Sequence, residues 1–189
     1  MRLCFMPTEL FPNPNHNHRY CKSRILAHAE AYCTANGLRF TKLRSDVLME
    51  VAENHKAIGA YQILEKFAER GRVLSPISVY RTLDFLQTAG LIHRLESTNA
   101  YFACQRHLDG SPHETFDKNT CGSSDTLIFL ICGECGTIGE VHNDGLSKLI
   151  PQITDLSDFE PQASQMEISG ICRICREDGT QSHLLDGQA

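Results

Sequence analysis

Apolar positions recur at helical spacing through the first half of the chain and cluster or alternate like strands in the second. Between Ser23 and Asn36, the residues Ile25, Leu26, Ala29 and Cys33 share one face, and Asn36-Gly37 is a stop signal. Thr41 reads as the N-cap of a helix from Lys42 to about Asn54, with Leu43, Val47, Leu48 and Val51 as its apolar stripe. A third helix spans about Ala60 to Arg70, with Ile63, Leu64 and Phe67 inward and Gly71 ending it. Ser75-Pro76 opens a fourth, serine as cap and proline at the first helical position; it runs to about Thr88 with Val79, Leu83 and Leu86 in its stripe, and stops at Gly90. Leu91–Glu96 and Ala100–Cys104 then read as two strands joined by the turn Ser97-Thr98-Asn99. Short helices on short links, closed by a hairpin, predict a winged helix-turn-helix.

The second half has a different texture. Residues 105–125 are polar and rich in turn formers, a loop longer than ordinary connections and so an insertion or a functional segment. Thr126–Ile131 and Thr137–Val141 read as strands, Asp144–Leu156 as a helix interrupted or kinked near Pro151, and Ala163–Ser169 as a third strand. The pattern therefore predicts an α+β chain: a flexible tail over 1–18, a winged-helix domain over 19–104, a loop or hinge over 105–125, a small α/β domain over 126–177 and a second tail over 178–189.

Composition changes the picture in two places. Of 189 residues, 41% are hydrophobic and 22% charged, ordinary for a folded domain or two, and no apolar run is long enough to span a membrane. The N-terminus has no apolar core of signal-peptide length, so a cytoplasmic protein is expected. The net charge of −5 hides an asymmetry: residues 19–96 hold 12 Lys+Arg against 8 Asp+Glu, whereas residues 97–189 hold 5 against 14. Only the front half is therefore suited to meet a polyanion. The nine cysteines, without an export signal, read as reduced thiols or metal ligands rather than disulfides.

Cys132-Gly133-Glu134-Cys135 and Cys172-Arg173-Ile174-Cys175 carry the strongest chemical signal. Two thiolates separated by two residues at a tight turn can face one ion, and a second pair completes the four soft ligands that zinc takes at tetrahedral corners. Such a site would staple the two ends of the strand-strand-helix-strand unit, and its full shell leaves no room for catalysis. The rival is thiol redox chemistry at one of the pairs. Cys33 lies on an apolar helix face and reads as a buried thiol. His93, Cys104 and Glu140 offer nitrogen, sulfur and oxygen, but periodicity gives no reason to join them. The sequence has no HExxH, no GxSxG and no pairing of a cysteine with a catalytic base, so no enzyme class is indicated.

Taken together, Ala60-Tyr61, the run Ser78-Val79-Tyr80-Arg81-Thr82-Leu83-Asp84-Phe85-Leu86, Gly90-Leu91-Ile92-His93 and Leu130-Ile131-Cys132-Gly133-Glu134-Cys135-Gly136, with the second cysteine pair, resemble the ferric uptake regulator superfamily. Glu96-Ser97-Thr98-Asn99-Ala100-Tyr101 and Cys104 resemble its zinc uptake regulator branch. The resemblance covers residues 23–177, apart from the loop. It implies a homodimeric repressor of zinc import genes, with an N-terminal winged helix, a C-terminal dimerisation domain, and zinc favouring the binding of an inverted-repeat operator in double-stranded DNA.

The resemblance also implies a sensing site of a histidine, a cysteine, a second histidine and a glutamate, onto which His93, Cys104 and Glu140 fall. The position of the second histidine holds Asp125, which can ligate through oxygen; His113 is the main alternative, with His107 and Cys121 also in the loop. With the Cys4 site this makes about two zinc ions per protomer.

On the DNA side, the recognition helix is the one opened by Ser75-Pro76, and Arg81 is the candidate for a bidentate guanine contact. The resemblance gives Tyr61 a contact with a thymine methyl, where packing between the second and third helices is the alternative. Tyr80 is a phosphate contact or core edge, and Arg39, Lys42 and Arg44 are candidate phosphate contacts or simply a solvated face. An iron, manganese or peroxide sensor of the same superfamily is the alternative function; a cysteine among the sensing ligands favours zinc over harder metals.

Overall fold

A computed structural model describes residues 10–11, 18–105, 126–161 and 164–177. Helix α1 (His18–Ala35) begins before Ser23, because its buried stripe starts a turn earlier than the aliphatic residues do: Cys21, Ile25, Ala29 and Cys33 follow one another at four-residue spacing. Gly37, at φ 62°, closes it, and the Leu38 N–H returns to the Cys33 carbonyl at 2.8 Å. Helix α2 (Lys42–Val51) starts where Thr41 Oγ1 accepts the Arg44 N–H at 3.4 Å, and stops short of Asn54. Helix α3 (Ala60–Glu69) follows Gly59, whose N–H donates to Gln62 Oε1 at 2.9 Å. Helix α4 (Pro76–Thr88) has the Ser75 cap and Pro76 in its first turn.

The hairpin forms as β2 (Ile92–Leu95) and β3 (Ala100–Ala103), with Ile92 opposite Ala103 and Leu95 opposite Ala100. The sequence pattern did not show β1 (Ile58–Gly59), which adds an antiparallel third strand in the order β1-β3-β2. Two residues are too few for any periodicity to register. Val47, Leu48, Ile63, Phe67, Leu83 and Leu86 are buried together beneath this sheet and the four helices. Burying each such side chain contributes about 1.5–3 kcal/mol against leaving it in water.

The C-terminal part contains β4 (Leu127–Cys132), β5 (Ile138–His142), α5 (Asp144–Asp155), β6 (Gln165–Gly170) and α6 (Arg173–Glu177). Its sheet has the order β5-β4-β6, with β5 antiparallel and β6 parallel to β4. A parallel neighbour requires a crossover, and α5 lies in it. The expected interruption of this helix does not occur: α5 runs unbroken through Pro151, capped by Asn143, whose side chain accepts the Leu146 N–H. A proline removes one N–H donor, and here the helix continues on either side of the loss. The chain is thus α+β, a winged helix-turn-helix followed by a small α/β unit with a cluster of four cysteines.

The two parts touch. Leu95 and Phe102 of the hairpin pack with Phe129 and Ile138 of the second sheet in a separate buried cluster. The Ile138 N–H donates to the His55 carbonyl at 2.9 Å, and Lys56 bridges Thr137. Leu10, expected to belong to a flexible tail, lies hard against β5: a Cβ at Gly139 would fall 2.9 Å from its Cγ, so this contact requires glycine. Leu149 and Ile153 on α5 and Met166 and Ile168 on β6 remain exposed. Among the described residues, no helix is long and apolar enough to cross a membrane.

Candidate metal centres and nucleic-acid surface

The parallel pairing of β4 with β6 aligns the two cysteine pairs. Cys132 ends β4 opposite Gly170, and the Gly133 N–H donates to the Gly170 carbonyl at 2.8 Å, so both pairs leave the same end of the sheet. After Cys132 the chain turns back, with Gly136 at φ 71° and its N–H on the Cys132 carbonyl at 2.9 Å. Cys172 stands just before α6 and Cys175 within it; this short helix was absent from the sequence pattern, where five residues carry no stripe.

The four sulfurs lie within 4.8 Å of one another, with Cys132–Cys175 and Cys135–Cys172 each at 3.9 Å. A tetrahedral ion with bonds of about 2.3 Å places its sulfur ligands about 3.8 Å apart. Electrostatics point the same way. Burial pushes the Cys132 thiol up, but the backbone N–H groups of Cys172, Cys135 and Glu134 outweigh it and pull the group down to about 6. Burial first, and then the neighbouring sulfurs, push Cys175 well up, and burial raises Cys172 too. Cys132 thus forms a thiolate readily while Cys172 and Cys175 resist, and a bound cation would favour ionising them together.

The second cluster joins the two parts of the chain. His93 lies on β2, Cys104 follows β3, and Glu140 lies on β5; their ligand atoms are within 4.8 Å of one another, and all three are buried. His93 Nε2 is 3.4 Å from Glu140 Oε2, and Cys104 Sγ is 3.9 Å from Glu140 Oε1. The hairpin register sets two of the three: His93 faces Phe102, and the Cys104 N–H donates to the Leu91 carbonyl at 3.0 Å. The His93 ring sits between Phe102 and Phe129, with centroids at 5.4 and 5.2 Å.

Gln105 holds the carboxylate that completes the cluster. Its backbone N–H donates to Glu140 Oε2 at 3.0 Å, its side-chain oxygen accepts the Glu140 N–H at 3.2 Å, and its side-chain amide donates to the Ile138 carbonyl. Sequence reasoning missed Gln105, and only its place after Cys104 could have pointed to it. A nitrogen, a sulfur and an oxygen donor brought together in one buried cluster fit zinc. Asp125 and His113, with His107 and Cys121, lie outside the described residues.

The structure separates the candidate DNA-contacting residues. Tyr61 is 69% exposed, so it does not pack between α2 and α3. Arg81 stands exposed on α4, while Tyr80 is half-buried against the core. Arg39 is exposed, and Lys42 projects outward with Asp46 at 3.2 Å. Arg44 is no solvated side chain: its guanidinium carbon lies 3.3 Å from the Phe85 ring centroid and the group donates to the Arg39 carbonyl.

Comparison with known proteins agrees with this geometry. The ferric uptake regulator family model matches residues 35–169. The zinc uptake regulation protein of Escherichia coli (strain K12) is 33% identical over 153 residues, 81% of this chain and 82% of that protein. The structure of a zinc uptake regulator complexed with zinc and DNA superposes with a TM-score of 0.70 at 31% identity, covering 83% of this chain and 96% of the other. Holo XcZur superposes at 0.66, also at 31% identity, over 82% of this chain and 99% of the other. The chain belongs to the ferric uptake regulator family.

Proposed function

We propose that the protein is a zinc-responsive, DNA-binding repressor of zinc uptake genes, acting in the cytoplasm as a zinc-loaded homodimer. The observation that carries this reading is the meeting of His93 and Cys104, from the hairpin, with Glu140, from β5, in one buried cluster. Cys132, Cys135, Cys172 and Cys175 hold a structural zinc, and their closed shell leaves no open position for a substrate. His93, Cys104 and Glu140, with Asp125 or His113 as fourth ligand, hold the regulatory zinc, making about two per protomer.

The regulatory ligands come from both sides of the contact between the two parts of the chain. Residues so divided bind an ion tightly only when the hairpin and β5 are together, so the ion favours that arrangement by its difference in affinity for the closed and open states. The cysteine favours zinc over iron and manganese. Competition with iron(II) and manganese(II) checks this: a cluster that prefers either ion would move the reading to an iron, manganese or peroxide sensor.

DNA recognition falls to the basic front half. Arg81 on the exposed face of α4 suits a bidentate guanine contact, and Tyr61 a thymine methyl. Arg39, Lys42 and the edge of Tyr80 suit phosphates, whereas Arg44 is held to Phe85. The apolar side chains exposed on α5 and β6 suit a second copy of the chain. Twofold symmetry then reads an inverted repeat with half-sites about one helical turn apart, a spacing that the angle between hairpin and C-terminal part controls.

Cys104→Ser tests the reading, since it changes one buried ligand atom and little volume. The variant is expected to keep one tightly held zinc and to lose at least about tenfold of its zinc-dependent DNA affinity. A mobility shift that responds to zinc as the parent does would show that the assigned site is wrong.

A further inference from the structure

The hairpin is also gripped at its other end. Glu167 on β6 reaches the tip, where one carboxylate oxygen accepts the Glu96 backbone N–H at 2.7 Å and the other accepts the Ser97 hydroxyl. Gln165, two residues earlier and so on the same face of the strand, donates to the Arg94 carbonyl at 3.0 Å and to Glu167 at 3.0 Å. Burial pushes the Glu167 carboxyl up, but Ser97, Glu96 and Gln165 together hold it below the usual range, so it is ionised at neutral pH.

The topology makes this contact more than an incidental one. β5 and β6 are the opposite edges of the C-terminal sheet. The ligand cluster ties His93 and Cys104 to β5, while Glu167 ties the hairpin turn to β6. The Leu95–Phe102–Phe129–Ile138 packing and the His55–Ile138 hydrogen bond also join the two parts, and the Glu167 contacts add a hold at the opposite edge, on β6. A hairpin that swings away from β6 breaks the Glu167 contacts.

We propose that Glu167, with Gln165, is a metal-independent latch: a positioning residue that holds the hairpin turn on β6 and so populates the arrangement in which His93, Cys104 and Glu140 meet. This rests on reading those three as the regulatory site. Apparent affinity is the intrinsic affinity scaled by the fraction of protein already competent to bind, so losing the latch weakens zinc binding without touching a ligand. Charge-assisted hydrogen bonds at a half-exposed position make the expected effect about three- to tenfold.

The test uses the full chain with Glu167→Gln, Ser97→Ala and both together. Two quantities are read: the dissociation constant of the exchangeable zinc, by competition with a chromophoric chelator, and hydrogen exchange at the Glu96 amide, which a merely structural role elsewhere would not move. The latch predicts faster Glu96 exchange and about three- to tenfold weaker zinc in Glu167→Gln, unchanged zinc content at saturation, and a double variant no weaker than Glu167→Gln alone. Ser97 lies in an exposed turn, so its variant keeps the test open should the other fold poorly. Parent-like exchange and zinc affinity in the variants, or fully additive effects, would overturn the latch. A parent with no exchangeable zinc would overturn the site beneath it instead.

Discussion

Glu50 is a carboxylate buried inside the front half because two cations, Lys66 on α3 and Arg70 at its C-terminal end, reach it. Lys66 Nζ lies 3.1 Å from Oε1, and Arg70 donates to both oxygens, at 2.5 and 3.2 Å. Burial raises the acid, but the Arg70 and Lys66 hydrogen bonds outweigh it and hold the group below the usual carboxylate range. A folded-state value below the unfolded one stabilises the fold above the unfolded pKa of about 4.3 and is lost as pH falls through the folded value. Glu50→Gln should therefore lose about 2 kcal/mol at pH 7, measured by urea unfolding, with the gap to the parent closing below about pH 4. A gap independent of pH would mean that charge is not what Glu50 contributes.

Residues whose role is local were legible in the sequence. Thr41 and Ser75 announced themselves as caps, because a cap needs only the three residues that follow it. The Glu50 pairing was not legible, since it depends on how α2 meets α3. His93, Cys104 and Glu140 stood between: each residue was visible, but only a family resemblance joined them, because the register of one sheet against another leaves no trace in periodicity.

At the scale of elements, the apolar stripes of α2, α3 and α4 and both hairpin strands could be read from spacing. What escaped was short or tertiary in origin: β1, which exists by pairing Ile58 with Tyr101, and α6, which forms at the second cysteine pair. Of the interruption or kink that the pattern predicts near Pro151, the interruption is absent, since α5 runs through it. The cysteine cluster makes an element-scale prediction. Cys132 and Cys172 anchor the adjacent parallel strands β4 and β6, so Cys175→Ser should lose about one tightly held zinc per protomer and unravel the β6–α6 end. Thermal unfolding should then split, with the helical front half melting separately from a destabilised remainder. Elemental analysis showing the tight zinc intact would mean that Cys175 is not one of its ligands.

For the whole molecule, the charge asymmetry and the contact between the two parts give one account. In the proposed reading the basic front half meets the polyanion, while the acidic back half, which carries the Cys4 cluster, Glu140 and Glu167, sets where the front half points. The most direct test is zinc per protomer and operator binding, followed on the same samples through mild chelation. The account predicts a fall from about two zinc ions to about one, with DNA binding lost in step with the first ion and restored by its return. A zinc content that stays at one throughout, or DNA binding that survives removal of the exchangeable ion, would contradict it.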